Sequence, residues 1–409
     1  MLRILLVVLL GLSLVSATIL ENGQPRLNPY PGQARRLESG FDESWKTYDA
    51  DAEEISYKGR WDGNHISWWS TAGIKFAFTG EKLALSFGEH TSNGVLVAYR
   101  IGGLNWQFAN VTANDGYEFV GPWVTGLNMT DAAAQRTFEL RVTNWAYGYL
   151  SGVAVAPGAA IYKVKPFPKM VEIIGDSLSS GDFATYEGLS SWAYLFAAGL
   201  GNVEYSITAY PGICLHDQEC WGNPRGQTYQ WYRTSDTSPR ATEIYGENPP
   251  DWDFGAQQPA DLVVIHIGTN DNNPAINVPA ADYFKDYVKL VDDIHRIWPD
   301  AQIVLMSLWG GFGWSGQENT YIQGPLYVEE IKAVHELFQE KGDFVHYFDS
   351  TGILQHNDIA PQWHPTDVGH IKVAAHFMQW VKIKFGWEME ATGPMVHSGT
   401  LYWNDQGGY

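Results

Sequence analysis

The chain has 409 residues and a formal net charge of −20 at pH 7, from 46 acidic and 26 basic side chains. This balance disfavours binding to nucleic acid or to an anionic membrane surface, because both need clustered lysine and arginine. The composition, 45% hydrophobic and 18% charged, is that of a globular protein. The length is sufficient for two or three domains.

Residues 1–17 have the form of a secretory signal peptide. A single basic residue, Arg3, precedes an apolar run that closes with Val-Ser-Ala, which predicts cleavage after Ala17. No later run is long and apolar enough to span a bilayer, so we expect a secreted, extracellular protein with no membrane anchor. Two Asn-X-Thr sequons, at Asn110 and Asn128, are candidate glycosylation sites in that compartment.

The chain has two cysteines, Cys214 and Cys220, in the sequence CLHDQEC. Two close cysteines usually form a disulfide in an oxidising compartment, and we predict one here. The alternative is a metal-binding pair, for which His216 is the nearby candidate ligand.

The first half of the chain has the pattern of an all-β domain. Residues 18–50 are a polar lead-in, and within residues 51–164 short runs alternate apolar and polar side chains between turn sequences such as SNG and NDG. Such runs, with no good helix pattern between them, predict an antiparallel sandwich or jelly roll. The alternating positions are Ile74, Phe76 and Phe78; Leu83, Leu85 and Phe87; Val95, Val97 and Tyr99; and Phe138, Leu140 and Val142.

The pattern changes at a proline-containing junction, KVKPFPKM. Beyond it, apolar runs at 170–175, 202–207, 261–268, 302–309 and 344–349 alternate with helical patterns, the clearest at 280–297. This alternation predicts a three-layer α/β domain over residues 165–390, with a five-stranded parallel sheet of flavodoxin-like type. The segment 208–260 is too long for a plain connection, and the tail, 391–409, has no assignment.

Four polar or small residues follow strands or precede the last helix in this second domain. They are Ser177 in GDSLSSG, Gly212 in AYPGICL, Asn270 in GTND and His364 in QWHPTDVGH. Each has an ordinary structural interpretation, as a helix cap, turn residue or loop histidine. Together, at the sheet edge where α/β domains bind ligands, they favour a serine nucleophile with a base and oxyanion donors.

These four blocks, in this order, resemble the SGNH, or GDSL-type, hydrolases over about residues 168–388. The resemblance implies that Ser177 is the nucleophile and His364 its base. It also implies an oxyanion hole built from the backbone N–H groups of Ser177 and Gly212 and the side-chain amide of Asn270. The jelly roll in front of this domain resembles carbohydrate esterase family 2, whose members remove acetyl groups from xylan and related plant polysaccharides.

One position departs from the family pattern. SGNH enzymes commonly place an aspartate three residues before the catalytic histidine, and Pro361 stands there in this chain. Asp358 lies six residues before His364 and could orient it only if the loop folds back. The alternative is a Ser–His dyad in which a backbone carbonyl holds the imidazole, which the physics of the triad allows.

Aromatic side chains near these blocks are candidates for the substrate pocket. Trp309, Phe312 and Trp314 lie in the loop WGGFGWSG, and Trp363 precedes the base; each could also be a packing residue.

A metal site at His364, Asp367 and His370 is disfavoured, because His364 is already assigned and His370 opens a helix. We expect neither metal nor cofactor.

The sequence thus predicts a secreted serine carbohydrate esterase that acts on acetylated plant polysaccharide such as xylan or glucomannan. The alternatives are another SGNH esterase, namely a feruloyl esterase or lipase, or a non-catalytic carbohydrate-binding protein. The sequence does not determine the oligomeric state.

Overall fold

The computed structural model describes residues 20–21, 24–25, 34–124, 129–318, 320–324, 326–359 and 363–390. The predicted signal peptide, Asn128, Pro361 and the C-terminal tail therefore lie outside the described residues.

The N-terminal part of the chain is built of strands. They are β1 (Leu20–Glu21), β2 (Gln24–Pro25), β3 (Arg35–Arg36), β4 (Lys46–Asp49), β5 (Ser56–Trp61), β6 (Ser67–Phe78), β7 (Leu83–Phe87), β8 (Val95–Ile101), β9 (Gln107–Val111), β10 (Asp115–Val120), β11 (Arg136–Val142), β12 (Leu150–Val155) and β13 (Ile161–Tyr162).

Strands β1 and β2 pair only with each other among the described residues, and the other strands form a sandwich of two antiparallel sheets. One sheet has the order β3-β10-β7-β12-β4, and the other contains β6, β11, β8 and β9, with β5 and β13 also paired to β6. Side chains from both sheets, such as Phe76, Leu85, Phe119 and Phe138, form one buried cluster between them. The period-two runs of the sequence supply this core, since alternate side chains of a strand point to the same face.

The C-terminal part alternates strands and helices. The strands are β14 (Lys169–Gly175), β15 (Val203–Ala209), β16 (Leu262–His266), β17 (Gln302–Met306), β18 (Phe312–Trp314), β19 (Tyr321–Gln323) and β20 (Val345–Phe348). The helices are α1 (Ser177–Ser180), α2 (Trp192–Leu200), α3 (Gln227–Gln230), α4 (Pro239–Tyr245), α5 (Thr269–Asn272), α6 (Ala280–Ile297), α7 (Val328–Gln339) and α8 (Asp367–Phe385), with 3-10 turns at Glu187–Ser190 and His356–Asp358.

Strands β20, β17, β16, β14 and β15 lie side by side, each parallel to its neighbour. They do not form the separate five-stranded parallel sheet that the sequence predicts. At its edge, β15 pairs antiparallel with β6 of the sandwich through Ile207 and Ser70. Among the described residues the result is one mixed sheet of eleven strands that runs through both parts of the chain. The predicted five-stranded parallel sheet is thus not confirmed as an independent sheet, because its five parallel strands continue into the sandwich through a pairing of strands far apart in sequence.

Helices cover both faces of the parallel strands. Val263 and Ile265 pack with α6 and α7, whereas Leu262 and Val264 pack with α2 and α8. This gives the three layers expected of near-continuous apolar strands. Among the described helices none is long and apolar enough to cross a membrane.

Buried contacts join the sandwich to the α/β part directly beside α1. The Ser70 hydroxyl donates to the carbonyl of Ser180 at 3.3 Å, and the Gly188 N–H donates to the carbonyl of Thr143 at 2.7 Å. Deeper in the interface, Arg60 pairs with Glu172 at 3.4 Å, and both side chains are fully buried. The sandwich therefore helps to fix the helix that carries Ser177.

Candidate active site

Ser177 is the first residue of α1, immediately after β14. Asp176 caps this short helix with its carboxylate, which accepts the Leu178 N–H at 3.0 Å. The helix ends after four residues at Gly181, whose N–H donates back to the carbonyl of Ser177. This strand–turn–helix holds the Ser177 hydroxyl at the carboxyl edge of the sheet, where α/β proteins bind ligands.

His364 contacts Ser177 across 187 positions of sequence. Its Nε2 lies 2.8 Å from Ser177 Oγ, within hydrogen-bond distance. His364 precedes α8, whose first turn is capped by Thr366, the acceptor of the Gly369 N–H. The pair has the geometry in which an imidazole takes a hydroxyl proton during nucleophilic attack.

Gly212 follows β15 and lies in the same cavity as Ser177 and His364. Its φ is +77°, and a Cβ atom there would lie 3.0 Å from the Cβ of Trp221, so glycine suits both the backbone and the space. Cys214 and Cys220 form a disulfide in the loop that follows. Asn223 ties this loop back by donating from Nδ2 to the carbonyl of Pro211 at 3.1 Å.

Asn270 lies on α5, directly after β16, and also lines the cavity. Its Nδ2 donates to the carbonyl of Ile213 at 2.9 Å. An amide nitrogen carries two N–H groups, and this bond, which holds the Gly212 loop, uses one of them.

Asp271, the residue after Asn270, also joins helix α5 to the loop that follows Gly212. Its fully buried carboxylate accepts the backbone N–H groups of Leu215 and His216 at 2.8 and 2.9 Å. The sequence pattern predicts no role for Asp271, although it lies in the GTND motif beside Asn270.

Two buried carboxyl groups lie behind the site. Burial raises the pKa of Asp176 to about 7, despite the N–H groups that favour its ionised form, and the charge of Asp271 adds to the shift. Burial likewise raises the pKa of Asp271 to about 6. Both groups thus change charge in the range where a histidine base operates.

Two buried histidines lie near the pair and are held neutral. Burial lowers the pKa of His370 to about 3, with a contribution from the charge of His364, and burial lowers that of His266 to about 3. His370 Nδ1 accepts the backbone N–H of Trp192 at 3.1 Å. The part of the chain that the structure describes contains no group of three or more His, Cys, Asp or Glu suited to a metal ion.

The cavity above Ser177 has a volume of about 930 Å³ and is lined largely by aromatic, proline and glycine residues. Trp309 and Trp363 line it, as does Phe312. Trp314 does not: it is exposed, and its indole N–H donates to the carbonyl of Gln317. Of the three predicted pocket tryptophans the structure therefore brings two together.

Three aromatic residues at the cavity wall have positive φ angles: Phe183 at +66°, Trp221 at +50° and Trp363 at +67°. They are 45%, 54% and 64% exposed. Such angles are rare for bulky residues and cost on the order of 1–3 kcal/mol each, a cost typically found at ligand-binding sites. Phe183 and Trp221 were missed by the sequence analysis, although they lie beside the GDSLSSG block and Cys220.

A glycine allows one of these rings to pack closely on the loop after β17. A Cβ atom at Gly311 would lie 2.6 Å from the Trp363 indole, so only glycine lets the ring rest against the backbone there.

The carboxylate of Asp358 binds two groups other than His364. This carboxylate is buried, accepts the Gln355 N–H and pairs with Lys372 of α8 at 2.7 Å. The loop positions between Asp358 and the base include 360–362, which lie outside the described residues.

Of the two predicted glycosylation sites, Asn110 lies on β9, and its side-chain amide donates to the carbonyl of Gly94 at 2.8 Å. Modification of Asn110 stays a prediction, and Asn128 is outside the described residues.

Comparison with known proteins agrees with this geometry. Residues 173–372 match the model of the GDSL-like Lipase/Acylhydrolase family. No curated protein sequence matches the chain.

Several solved structures share the fold of most of the chain. A carbohydrate esterase family 2 enzyme plus carbohydrate-binding domain from Corynascus thermopiles (Myceliophthora fergusii) superposes with a TM-score of 0.64 at 22% identity, covering 81% of this chain and 100% of that one. A family two carbohydrate esterase from Clostridium thermocellum in complex with cellohexaose gives 0.60 at 20%, covering 81% and 99%. An acetyl xylan esterase from the rumen bacterium Butyrivibrio proteoclasticus gives 0.63 at 15%, covering 84% and 100%.

The match to the family model spans the serine, the oxyanion candidates and the histidine, and the fold match extends through the sandwich in front of them. Residues 173–372 therefore match the GDSL-like lipase/acylhydrolase family of carboxylic ester hydrolases, and the chain shares the fold of the family 2 carbohydrate esterases.

Proposed function

We propose that the protein is a secreted esterase that removes O-acetyl groups from plant cell-wall polysaccharide, through an acetyl-enzyme on Ser177. The observation that carries this proposal is the 2.8 Å contact between Ser177 Oγ and His364 Nε2 at the floor of a broad aromatic cavity. We also propose the domain boundaries given above and cleavage of the leader after Ala17.

The reaction begins when the ester carbonyl lies over Ser177. Ser177 Oγ attacks the carbonyl carbon while His364 Nε2 takes the hydroxyl proton. The oxyanion is held by the backbone N–H groups of Ser177 and Gly212 and by the amide of Asn270. Collapse of the tetrahedral intermediate breaks the bond to the sugar oxygen, which takes the proton from His364 and leaves as an alcohol.

The second half of the reaction restores the enzyme. His364 takes a proton from a water molecule, whose oxygen attacks the acetyl carbonyl. The bond between Ser177 Oγ and the acetyl carbon breaks, Ser177 regains its proton and acetate leaves. In this scheme the protein supplies the first nucleophile, the base and the oxyanion donors, and water is the second nucleophile.

The carbohydrate part of the proposal is supported by the walls of the cavity. Trp221 and Trp363 present large exposed indoles beside Ser177, and planar rings of this kind stack on sugar faces. The similar Clostridium enzyme forms a complex with cellohexaose, and the similar Butyrivibrio enzyme is an acetyl xylan esterase.

A second candidate is an esterase for a larger acyl group, such as a feruloyl esterase. The size of the cavity favours it, because about 930 Å³ exceeds what an acetyl group occupies. In the acetyl esterase the same space would hold the sugar chain. A lipase, or a carbohydrate-binding protein without activity, is the remaining alternative.

The test compares ester substrates. An acetyl esterase hydrolyses p-nitrophenyl acetate much faster than the butyrate and octanoate esters, and releases acetate from acetylated xylan, glucomannan or pectin. Faster release of ferulate, or a preference for octanoate, would identify the alternatives, and no ester hydrolysis would favour a binding protein.

Ser177→Ala tests the nucleophile. We expect kcat to fall by several orders of magnitude, since loss of a triad member typically leaves only ~10³–10⁴-fold catalysis over water. Ser179→Ala is the matched control from the same helix, because among the described atoms its buried hydroxyl has no hydrogen-bond partner. Retention of more than about a tenth of the activity by Ser177→Ala would contradict the assignment.

A further inference from the structure

Asp182 directly follows the helix and glycine that present the nucleophile. Its backbone N–H and that of Gly181 both donate to the carbonyl of Ser177, each at 3.1 Å. Its side chain lines the cavity that Ser177 and His364 share. Of the described residues that line this cavity, Asp182 alone carries a carboxylate.

The segment after Asp182 is fixed against the histidine from the other side. The ring of Phe183 packs on the imidazole of His364, with 4.9 Å between the ring centroids. Phe183 has a φ of +66°, a conformation that a bulky residue keeps only when its surroundings impose it. The N–H of Thr185 then donates to Asp367 Oδ1 at 2.9 Å, on the first residue of α8.

These contacts fix Asp182 in the cavity that Ser177 and His364 share, next to the residue whose ring packs on His364. Burial raises the pKa of Asp182, and the charge of His364 lowers it. The effect is mutual, since two charges that attract each other each favour the ionised form of the other.

We propose that Asp182 is a charge-stabilising residue for His364, supplying the negative charge that the usual third member of the triad would supply. As Ser177 Oγ bonds to the ester carbon, its proton passes to His364 Nε2, and the charge of Asp182 in the same cavity stabilises the imidazolium that forms. Asp182 stays ionised and transfers no proton. This inference rests on the esterase mechanism proposed above.

Other titratable groups near His364 either bind other partners or are neutral. Asp358 pairs with Lys372, and Asp367 accepts the Thr185 N–H. His370 is neutral at working pH, because burial lowers its pKa to about 3.

Glu187 lies further along the same segment. Its carboxylate accepts the Thr143 hydroxyl proton at 3.1 Å, and burial raises its pKa, to which the charge of Asp182 contributes. Asp182 is therefore the acidic group that shares the cavity with the base.

Asp182→Asn tests this role, with p-nitrophenyl acetate as a substrate that carries no sugar. We expect kcat/KM on the alkaline plateau to fall about 3–10-fold, because a partly exposed charge acts through an effective dielectric well above that of the dry interior. The acid limb of the kcat/KM profile should move down by about 0.5 pH unit, since removal of a negative charge makes the neutral imidazole easier to form. KM should change little.

Asp182→Glu keeps the charge and should restore the acid limb, whereas Asp182→Ser should repeat the shift seen with Asn. Asp343→Asn is the matched control: Asp343 is an exposed carboxylate before β20, at the opposite end of the strand from the site. It should leave both rate and profile unchanged. Circular dichroism and melting temperature establish that each variant is folded.

An unchanged rate and profile in Asp182→Asn would overturn the inference. So would a rise in KM on acetylated xylan with unchanged hydrolysis of p-nitrophenyl acetate, which would make Asp182 a sugar-binding residue. Failure of the proposed function looks different: the wild type would hydrolyse no ester, or Ser177→Ala would stay active.

Discussion

Asp358 and Lys372 form an ion pair, with Lys372 Nζ lying 2.7 Å from Oδ2 and 2.9 Å from Oδ1 of the carboxylate. The pair ties the 3-10 turn before the base to helix α8. Oδ2 also accepts the Gln355 N–H at 2.8 Å, which closes that turn. Asp358 thus has a structural task that differs from orienting His364.

Asp358→Asn should leave kcat within about threefold of the wild type, because a carboxylate that orients the histidine would cost on the order of 10⁴ if lost. The free energy of unfolding should fall by about 1–2 kcal/mol with the ion pair. Steady-state kinetics and denaturant unfolding measure the two effects. A thousandfold loss of kcat in a folded variant would mean that Asp358 completes a triad.

Asp358→Asn should also remove the part of the pH dependence of the free energy of unfolding that comes from ionisation of Asp358. Although burial opposes it, the bonds from Lys372 and Gln355 lower the pKa of Asp358 below its usual value. A lowered pKa in the folded state gives stability that is present above the unfolded pKa and is lost as the pH falls through the folded pKa. Acid unfolding of wild type and Asp358→Asn should therefore converge at low pH.

Asn270→Ala should lower kcat roughly 10²–10³-fold with a smaller change in KM, because its donor matters most when the oxyanion develops. Asn270→Asp, which keeps the shape but places an acceptor in the site, should lose at least as much. If KM rises while kcat holds in either variant, Asn270 binds the ground state and the oxyanion assignment is wrong.

The Cys214–Cys220 disulfide closes a loop of seven residues between Gly212 and Trp221. Replacement of both cysteines by serine should lower the free energy of unfolding by about 2–3 kcal/mol. It should also lower kcat, since the loop follows Gly212, the proposed oxyanion donor. Alkylation without reduction, followed by intact-mass analysis, should find no free thiol in the purified protein. Two alkylated thiols would refute the bridge.

The buried carboxyl of Asp176 should make the protein less stable as the pH rises. Because burial raises its pKa to about 7, the folded state binds its proton more tightly than the unfolded state does. Its contribution to stability is complete below the unfolded pKa of about 4 and is lost as the pH rises through about 7. Asp176→Asn keeps an oxygen for the Leu178 N–H and should flatten this part of the unfolding profile.

Wild type and Asp176→Asn should be compared by urea unfolding at pH 5 and pH 8. A difference in stability between the two proteins that is the same at both pH values would mean that Asp176 is ionised throughout and that its pKa in the folded state is not raised.

The sequence by itself determined the features that depend on local periodicity. Helix α6 begins and ends at the predicted residues, 280 and 297, because five apolar side chains at helical spacing need one buried face. Ser177, Gly212 and Asn270 could be placed on one edge because each follows an apolar strand, and parallel strands end on the same side of a sheet. The resemblance of the four blocks to a family then gave each residue a role.

Only the tertiary structure decided how the two parts of the chain meet. The pairing of Ile207 with Ser70 extends one sheet through both parts. Likewise, Asp358 is near His364 in sequence, but in the folded protein its carboxylate pairs with Lys372. Asp182 and Trp221 lie in turns with no periodic pattern, so their place at the cavity follows from the folding of the loops around Ser177. Trp314 shows the converse, because a residue in the same loop as Trp309 points to solvent once the hairpin of β18 and β19 has formed. Contacts of this kind join distant positions, and local propensity carries no information about them.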